Sequence, residues 1–469
     1  EHYEYDEFFP GPYSTDTMQQ VYASYPGPTD GTQEIAVPEW AGFRRDAAWS
    51  FTTTLTFGEG AGAALPTYGT VTSITQLGTD IDGEAAGDQS GYSVAMNSDG
   101  TIMAVGANTN DGMGSNAGHV RVYQWSDGSW TQLGADIDGE AEDDYSGTSV
   151  SLSSDGTILA VGATKNDGAG SKAGHVRVYE FSGSWTQLGA DIDGQAASDY
   201  RGQSVSLSAD GTILAVGAPY NDGTGSNAGH VRVYQLSGFS WTPLGADIDG
   251  EAASDQSGIS VSLSSDGTIL AVGATGNDGA GSDAGHVRVY QFSSGSWTQL
   301  GADIDGEAEH DYSGISVSLS SDGTILAVGA KGNDGTGSNA GHARVYQFSS
   351  GSWTPLGAEI DGEAAEDNSG FSVSLSSDGT ILAVGAIYNS DSQPSVGHVR
   401  VYHFSSGSWT PLGADIDGEA GHDQSGYSVA LSGYGNRLAI GAPYNGGTGS
   451  SHGGGCGSRA PTASPRPPS

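Results

Sequence analysis

The sequence predicts an all-β protein: a seven-bladed β-propeller of four-stranded antiparallel blades, preceded by an extended N-terminal arm. Three observations carry this. A unit recurs with anchors at Leu77, Leu133, Leu188, Leu244, Leu300, Leu356 and Leu412, spaced 56, 55, 56, 56, 56 and 56 residues apart. Each copy holds short apolar or alternating stretches separated by Gly, Asn, Asp and Ser, the residues that form tight turns. Gly makes up 77 of the 469 residues, without the triplet period of collagen. A period of this length with several strands per unit marks a radial repeat rather than separate domains.

Residues 1–65 stand outside the repeat. Their opening is acidic and rich in Tyr, Pro and Gly, with no sustained periodicity, and reads as an arm ordered only on a partner. Within it, Trp49 to Phe57 alternates as one strand would. The propeller is expected over residues 66–450, with four strands per copy. In the second copy the first is Ser149 to Ser153, which alternates. The second, Ile158 to Ala163, is nearly all apolar and should be covered on both faces. The third, His175 to Phe181, sets Val176 and Val178 against His175, Arg177 and Tyr179. The fourth runs from Trp185 through Leu188 towards Ile192. The third and fourth strands occur only six times, so residues 69–77 are expected to supply the missing pair and close the ring with both termini. The Pro- and Ser-rich residues 451–469 read as a disordered tail, or equally as a truncated or frame-shifted terminal repeat.

The formal net charge is −41, and the lysines are Lys165, Lys172 and Lys331 alone. Nucleic-acid binding is not expected, because phosphate neutralisation needs Lys and Arg. Cation binding or a basic partner suits such a surface. Cys456 is the one cysteine, so no intrachain disulfide forms. No Asn-x-Ser/Thr acceptor is present. The apolar runs, such as Ile158 to Thr164, fall far short of the roughly 20 residues that span a membrane. A start at Glu1 without a hydrophobic leader reads as a processed chain or a fragment.

Gly426 to Asn445 (GYSVALSGYGNRLAIGAPYN), Gly202 to Asn221 and the GHVRVY strand that follows resemble the FG-GAP repeat of integrin-α-type propellers, over roughly residues 70–450. The resemblance implies the propeller fold and a secreted or cell-surface structural or adhesion protein that binds protein or glycan partners or copies of itself. Two departures stand out. The family's calcium loop of the Asp-x-Asp-x-Asp-Gly type is here the turn Ser153 to Gly156, with one carboxylate against the six to eight oxygens Ca²⁺ takes. The Phe of the Phe-Gly pair is replaced, as in Tyr145-Ser146-Gly147. Two other readings compete: a propeller enzyme acting on glycans, and an intracellular WD40-like scaffold, which the missing Trp-Asp ending and the long repeat disfavour. Near-identical repeats leave few unique residues for catalysis, and G-x-S-x-G, H-E-x-x-H and Walker-type motifs are absent, so enzymatic activity is not expected.

The densest carboxylates lie between blades. Asp136, Asp138 and Glu140, repeated as Asp247, Asp249 and Glu251 and as Asp303, Asp305 and Glu307, are the candidate metal ligands, with Ca²⁺ as the candidate ion. The competing reading is a solvated turn whose Asp side chains cap backbone N–H groups. In an up-and-down blade these segments and the NDGxGS loops (Asn166, Asp167) leave on the same face, which should be strongly negative. The six His–Arg strands suggest structural pairing, with Arg177 in reach of Asp191, and the repeated Trp suggests blade packing. In the arm, Tyr3, Tyr5, Phe8 and Phe9 are the candidate partner-binding residues, with self-association through the arm as one outcome. Tyr3 and Tyr5 sit in an acidic context like those of sulfated tyrosines.

Overall fold

The computed structural model describes residues 71–390, 393–446 and 455–463. The arm, with Tyr3, Tyr5, Phe8 and Phe9, lies outside the described residues.

The described chain is an all-β propeller, and its blade count and blade make-up correct the expectation. Six blades, not seven, arise each from one continuous copy of the repeat, and each has five strands rather than four. In the blade of the second copy the strands are Ser146–Leu152, Ile158–Ala163, His175–Phe181, Trp185–Gln187 and Ile192–Asp193. The first four pair in order as an antiparallel meander. The fifth returns to the third, opposite His175 and Val176. The expected fourth strand is thus broken in two. Residues 188–191 form a bulge opposite Arg177 and Val178, between the pairs Tyr179 with Gln187 and Val176 with Ile192. Gly189, at φ +88°, makes the turn there.

The seventh copy does not make a blade of this kind. Its strands Ser428–Leu431 and Leu438–Ala442 join a composite sheet whose other members come from both ends of the described chain. Gly455–Ala463 takes the third place and Val71–Gln76 the fourth, with Val71 opposite Ala463 and Gln76 opposite Arg459. Ile81–Asp82 pairs with Gly455–Ala463 in the fifth place. The segment around 69–77 therefore supplies one strand of this sheet, and residues read as tail supply the other.

The apolar core lies between sheets. One cluster joins Val176, Val178, Leu188 and Ile192 of one blade to Val205, Leu207, Leu214 and Val216 of the next. Leu159, Leu214, Leu270, Leu326 and Leu382 of the second strands are fully buried, each worth about 1.5–3 kcal/mol over an exposed side chain. Backbones approach closely at the same seam. A Cβ on Gly162 would lie 2.1 Å from the Gly202 carbonyl oxygen, so the second strand needs glycine there. On the outside, the Trp241 indole N–H donates to the Leu188 carbonyl in the bulge of the preceding blade at 2.9 Å, and Trp185 does the same to Leu133 at 2.8 Å. In the composite sheet Ile74 takes this place against Gly413.

At the channel, the turns after the first strands form a closed ring of backbone hydrogen bonds. The N–H of Ser98 donates to the carbonyl of Ser154, and the chain continues through Ala209, Ser265, Ser321, Ser377 and Gly433 back to Ser98, at 2.8–3.0 Å.

The glycine seam generates a test. Gly162→Ala must push backbone from backbone and is expected to destabilise by about 1–3 kcal/mol, read from the urea midpoint. Trp241→Phe keeps the ring but loses the N–H bond and should cost about 1 kcal/mol by the same measurement.

Candidate functional site

Two loop families meet on the face opposite the SSDG turns. The connection from the second to the third strand covers residues 164–174, and the blade-to-blade connection covers residues 194–203. They are zipped together by backbone bonds: Ser198 N–H to Ser171 O at 2.8 Å, Tyr200 N–H to Lys172 O at 3.2 Å and Arg201 N–H to Ala173 O at 3.0 Å. Their exposed carboxylates, such as Asp138, Glu140, Glu142, Asp143 and Asp167, recur around the face. Asp144 is not among them. It is buried and accepts from Ala141 N–H at 3.0 Å and Asn166 Nδ2 at 3.1 Å, the capping role of a structural turn.

The bulge brings Asp191 over Arg177, and Arg177 Nε donates to Asp191 Oδ1 at 3.1 Å. The same guanidinium pairs with Glu140, delivered by the preceding connection, and His175 Nδ1 lies 3.9 Å from that carboxylate. Arg288 likewise pairs with Glu251 and Asp303, and Arg400 with Glu363 and Asp415. Each such Arg ties the incoming connection from the preceding blade to the bulge of its own blade. Burial works to raise the Asp191 pKa, but hydrogen bonds from Gln187 and Arg177 outweigh it and hold the carboxyl below its ordinary value.

The candidate ligands of one copy are therefore distributed over two neighbouring clusters. Asp136 joins Glu84 and His119, whereas Glu140 joins His175 and Asp191. Asp138 lies between, exposed, with its backbone opposite His119. In the next copies Asp247 pairs with Arg232 and Asp249 lies opposite His230, while Glu251 joins His286 and Asp303. Asp305 offers its carbonyl to Arg344 at 2.8 Å, and Glu307 joins His342 and Glu359.

The SSDG turn does not fit a calcium ion. Asp155 Oδ1 accepts from Ser153 Oγ at 2.7 Å, Thr157 N–H at 2.9 Å and Thr157 Oγ1 at 2.8 Å. No second carboxylate belongs to the turn. These turns ring the far end of the channel, where a cavity of about 160 Å³ is lined by Met96, Leu152, Leu207, Ser98, Ser154 and their equivalents.

Where the repeat breaks its own rule, the structure shows why the exceptions matter. Arg201 stands where the other copies have Ser, as at Ser146 and Ser257, and it is fully buried. Its Nη1 donates to Tyr234 Oη at 2.6 Å and its Nη2 lies 2.9 Å from His230 Nε2. Gln195 replaces the Glu of the neighbouring copies beside it. Column-by-column comparison of the copies exposes Arg201; reading by shared pattern passes over it. On the loop face near the channel, Tyr427 packs against Tyr92 at 4.9 Å and Phe371 at 5.0 Å between ring centroids. Burial, then Tyr92, pushes the Tyr427 hydroxyl well above its ordinary pKa. Tyr388 and Tyr444 are exposed there, and Lys331 lies over Phe371.

A propeller with zipped acidic loops on one face defines the class: a repeat β-propeller that presents loops. The chain carries FG-GAP repeats, matched at residues 191–234 and 302–346 by the family model described as FG-GAP repeat. No curated protein matches the chain. Solved structures with similar folds include a Bacteroides uniformis protein described as a candidate 6-phosphogluconolactonase, at 13% identity and a TM-score of 0.49, covering 70% of this chain and 86% of that one. Another is Kuenenia stuttgartiensis hydrazine synthase, at 13% identity and a TM-score of 0.48, covering 77% of this chain and 94% of that one. Both are likenesses of fold alone. Among the described residues no helix is long and apolar enough to cross a membrane.

The Arg201 site generates a pH test. Burial first, and Arg201 second, lower the His230 pKa from 6.5 to about 4. The unfolded ring takes up its proton near pH 6.5, so the contribution of this group is complete above that value. It is lost as the pH falls towards 4, by about 3 kcal/mol across the window. Arg201→Ser removes the neighbouring cation, and the His230 titration followed by NMR should move upward. An unchanged titration would mean that burial alone sets it.

Proposed function

We propose that this chain is a secreted or cell-surface structural or adhesion protein whose propeller binds a partner, and that the loop face does the binding. One observation carries the reading. Zipped loops hold exposed carboxylates in fixed array around one face, beside the aromatic patch of Tyr92, Phe371, Tyr388, Tyr427 and Tyr444. Rigid loops limit the entropy lost on docking, and a single-sign field steers an oppositely charged partner. Aromatic side chains beside such a field supply apolar contact to a protein or to a sugar face. The net charge of −41 favours a basic protein over an acidic one. Location outside the cell is supported by the FG-GAP repeats, which are typical of extracellular proteins. The role read here is binding rather than catalysis. Glu140, Glu251 and Glu363 are tied to Arg side chains, which leaves them poorly placed for acid–base work.

Surface plasmon resonance on the intact chain tests this, with polylysine as the basic probe and neutral oligosaccharides beside it. Polylysine binding should weaken steeply with salt and fall at least about tenfold when Glu142, Glu309 and Glu366 are changed to Lys. Oligosaccharide binding lost on Tyr388→Ser and Tyr444→Ser would assign the aromatic patch to a glycan. Polylysine binding indifferent to both salt and the Lys substitutions would sink the loop-face reading.

A further inference from the structure

Among the described residues, five groups bring a Glu, the third-strand His and a second carboxylate within 4.8 Å of one another. In three of them one Arg pairs with both carboxylates: Arg177, Arg288 and Arg400. In the other two no Arg joins both carboxylates: Arg121 Nη2 donates to the Asp82 carbonyl at 2.7 Å beside Glu84, His119 and Asp136, and the group of Glu307, His342 and Glu359 differs from that one in its second carboxylate and its histidine. Glu359 stands where the other copies carry Asp, as at Asp191, Asp303 and Asp415, and so reaches one methylene further. Arg344 does not bridge. Its Nη1 lies 3.1 Å from Glu307 Oε1 and its Nη2 donates to the Asp305 carbonyl at 2.8 Å. Glu359 is left facing Glu307, their carboxylates and the His342 ring within 4.8 Å of one another. His342 is fully buried, neither ring nitrogen has a hydrogen-bond partner, and Nδ1 sits 3.9 Å from Glu359 Oε2. A fully buried imidazole with both nitrogens unmet thus lies beside two carboxylates, only one of which is paired with Arg344.

We propose that Glu307, His342 and Glu359 form a binding site for one divalent transition-metal ion of the zinc type. The donor set selects the ion. One imidazole nitrogen and two carboxylates suit Zn²⁺ and its neighbours, whereas Ca²⁺ takes six to eight oxygens and no nitrogen. Ligands on a tetrahedral ion stand about 3.3 Å apart, given bonds of roughly 2.0–2.2 Å. His342 is the fixed floor of the site. Glu307 and Glu359 have side chains 41% and 47% exposed and can rotate the short distance inward. Two carboxylates balance the charge of the ion, and Arg344 keeps its bond to the Asp305 carbonyl. Because Glu307 belongs to the connection that leaves one blade and Glu359 to the bulge of the next, the ion would clamp two blades at their rim. A fourth position faces solvent, open to water or to a side chain of a docked partner.

The site is independent of any partner and is tested on the full chain with Co²⁺ as the spectroscopic probe. One Co²⁺ per chain should bind, with visible d–d absorption of a low-coordinate site, be displaced by Zn²⁺ and be left in place by Ca²⁺. Glu359→Gln and Glu307→Gln should each weaken Co²⁺ binding by more than about tenfold while far-UV circular dichroism stays unchanged. Glu359→Asp, which restores the residue of the other copies, should do the same. Glu251→Gln, in an Arg-bridged group, should leave the Co²⁺ spectrum as it is. Absence of the d–d bands, or bands that survive both Glu→Gln changes, would overturn the proposal.

Discussion

The structure depends on the close approach of neighbouring sheets at the channel. The ring of backbone bonds from Ser98 through Gly433 and back fixes seven turns against one another, and it works only where chains can touch. Towards the other end of the strands, glycines at the seam, such as Gly162 against the Gly202 carbonyl, allow an equally close approach. Backbone N–H and C=O groups at a channel end would otherwise need water or go unpaired, and here each satisfies the next. The apolar clusters then lie between sheets rather than within them, so no blade has a core of its own. Stability is a property of the ring.

Electrostatics follows from the same geometry. A chain this acidic would repel itself if its carboxylates were left to gather. The bulge at residues 188–191 and its equivalents turn part of that charge inward onto Arg177 and its counterparts. These pairs are half-buried and joined at two ends, which makes them more than isolated surface bridges. Much of the charge that remains outward lies on loops the backbone already holds. Fixed array and local neutralisation are thus produced by one irregularity of the fourth strand.

Much of this was legible in the residues. The all-apolar second strand, the meander, the common face of the two loop families, the Arg177–Asp191 pair and the packing role of Trp all follow from local periodicity and from topology. The five-stranded blade did not, because a bulge leaves alternation looking continuous from Trp185 to Ile192. The same bulge explains why Asp136, Asp138 and Glu140 part company: adjacent residues of a connection serve different blades. The blade count misled because seven copies of the first two strands look like seven blades, while the last copy lacks its outer half. Residues 455–463 carry no strand pattern, and a sheet edge recruited them. Arg201 and Glu359 were hidden by the regularity around them, since a repeat invites reading by its consensus.

The composite sheet has a kinetic meaning. Its pairing of Val71–Gln76 with Gly455–Ala463 joins segments separated by almost the whole described chain. Loop-closure entropy makes such a contact among the last that can form, whereas each meander closes over short loops. On a ribosome the six continuous blades can assemble as an open arc while the strand that completes the circle is still unmade. Until Gly455–Ala463 pairs, the outer side of Leu438–Ala442 is an unpaired edge, the kind of edge that takes up strands from other chains. The last sheet is thus the one place where the ring is held by pairing between distant segments rather than by a hairpin.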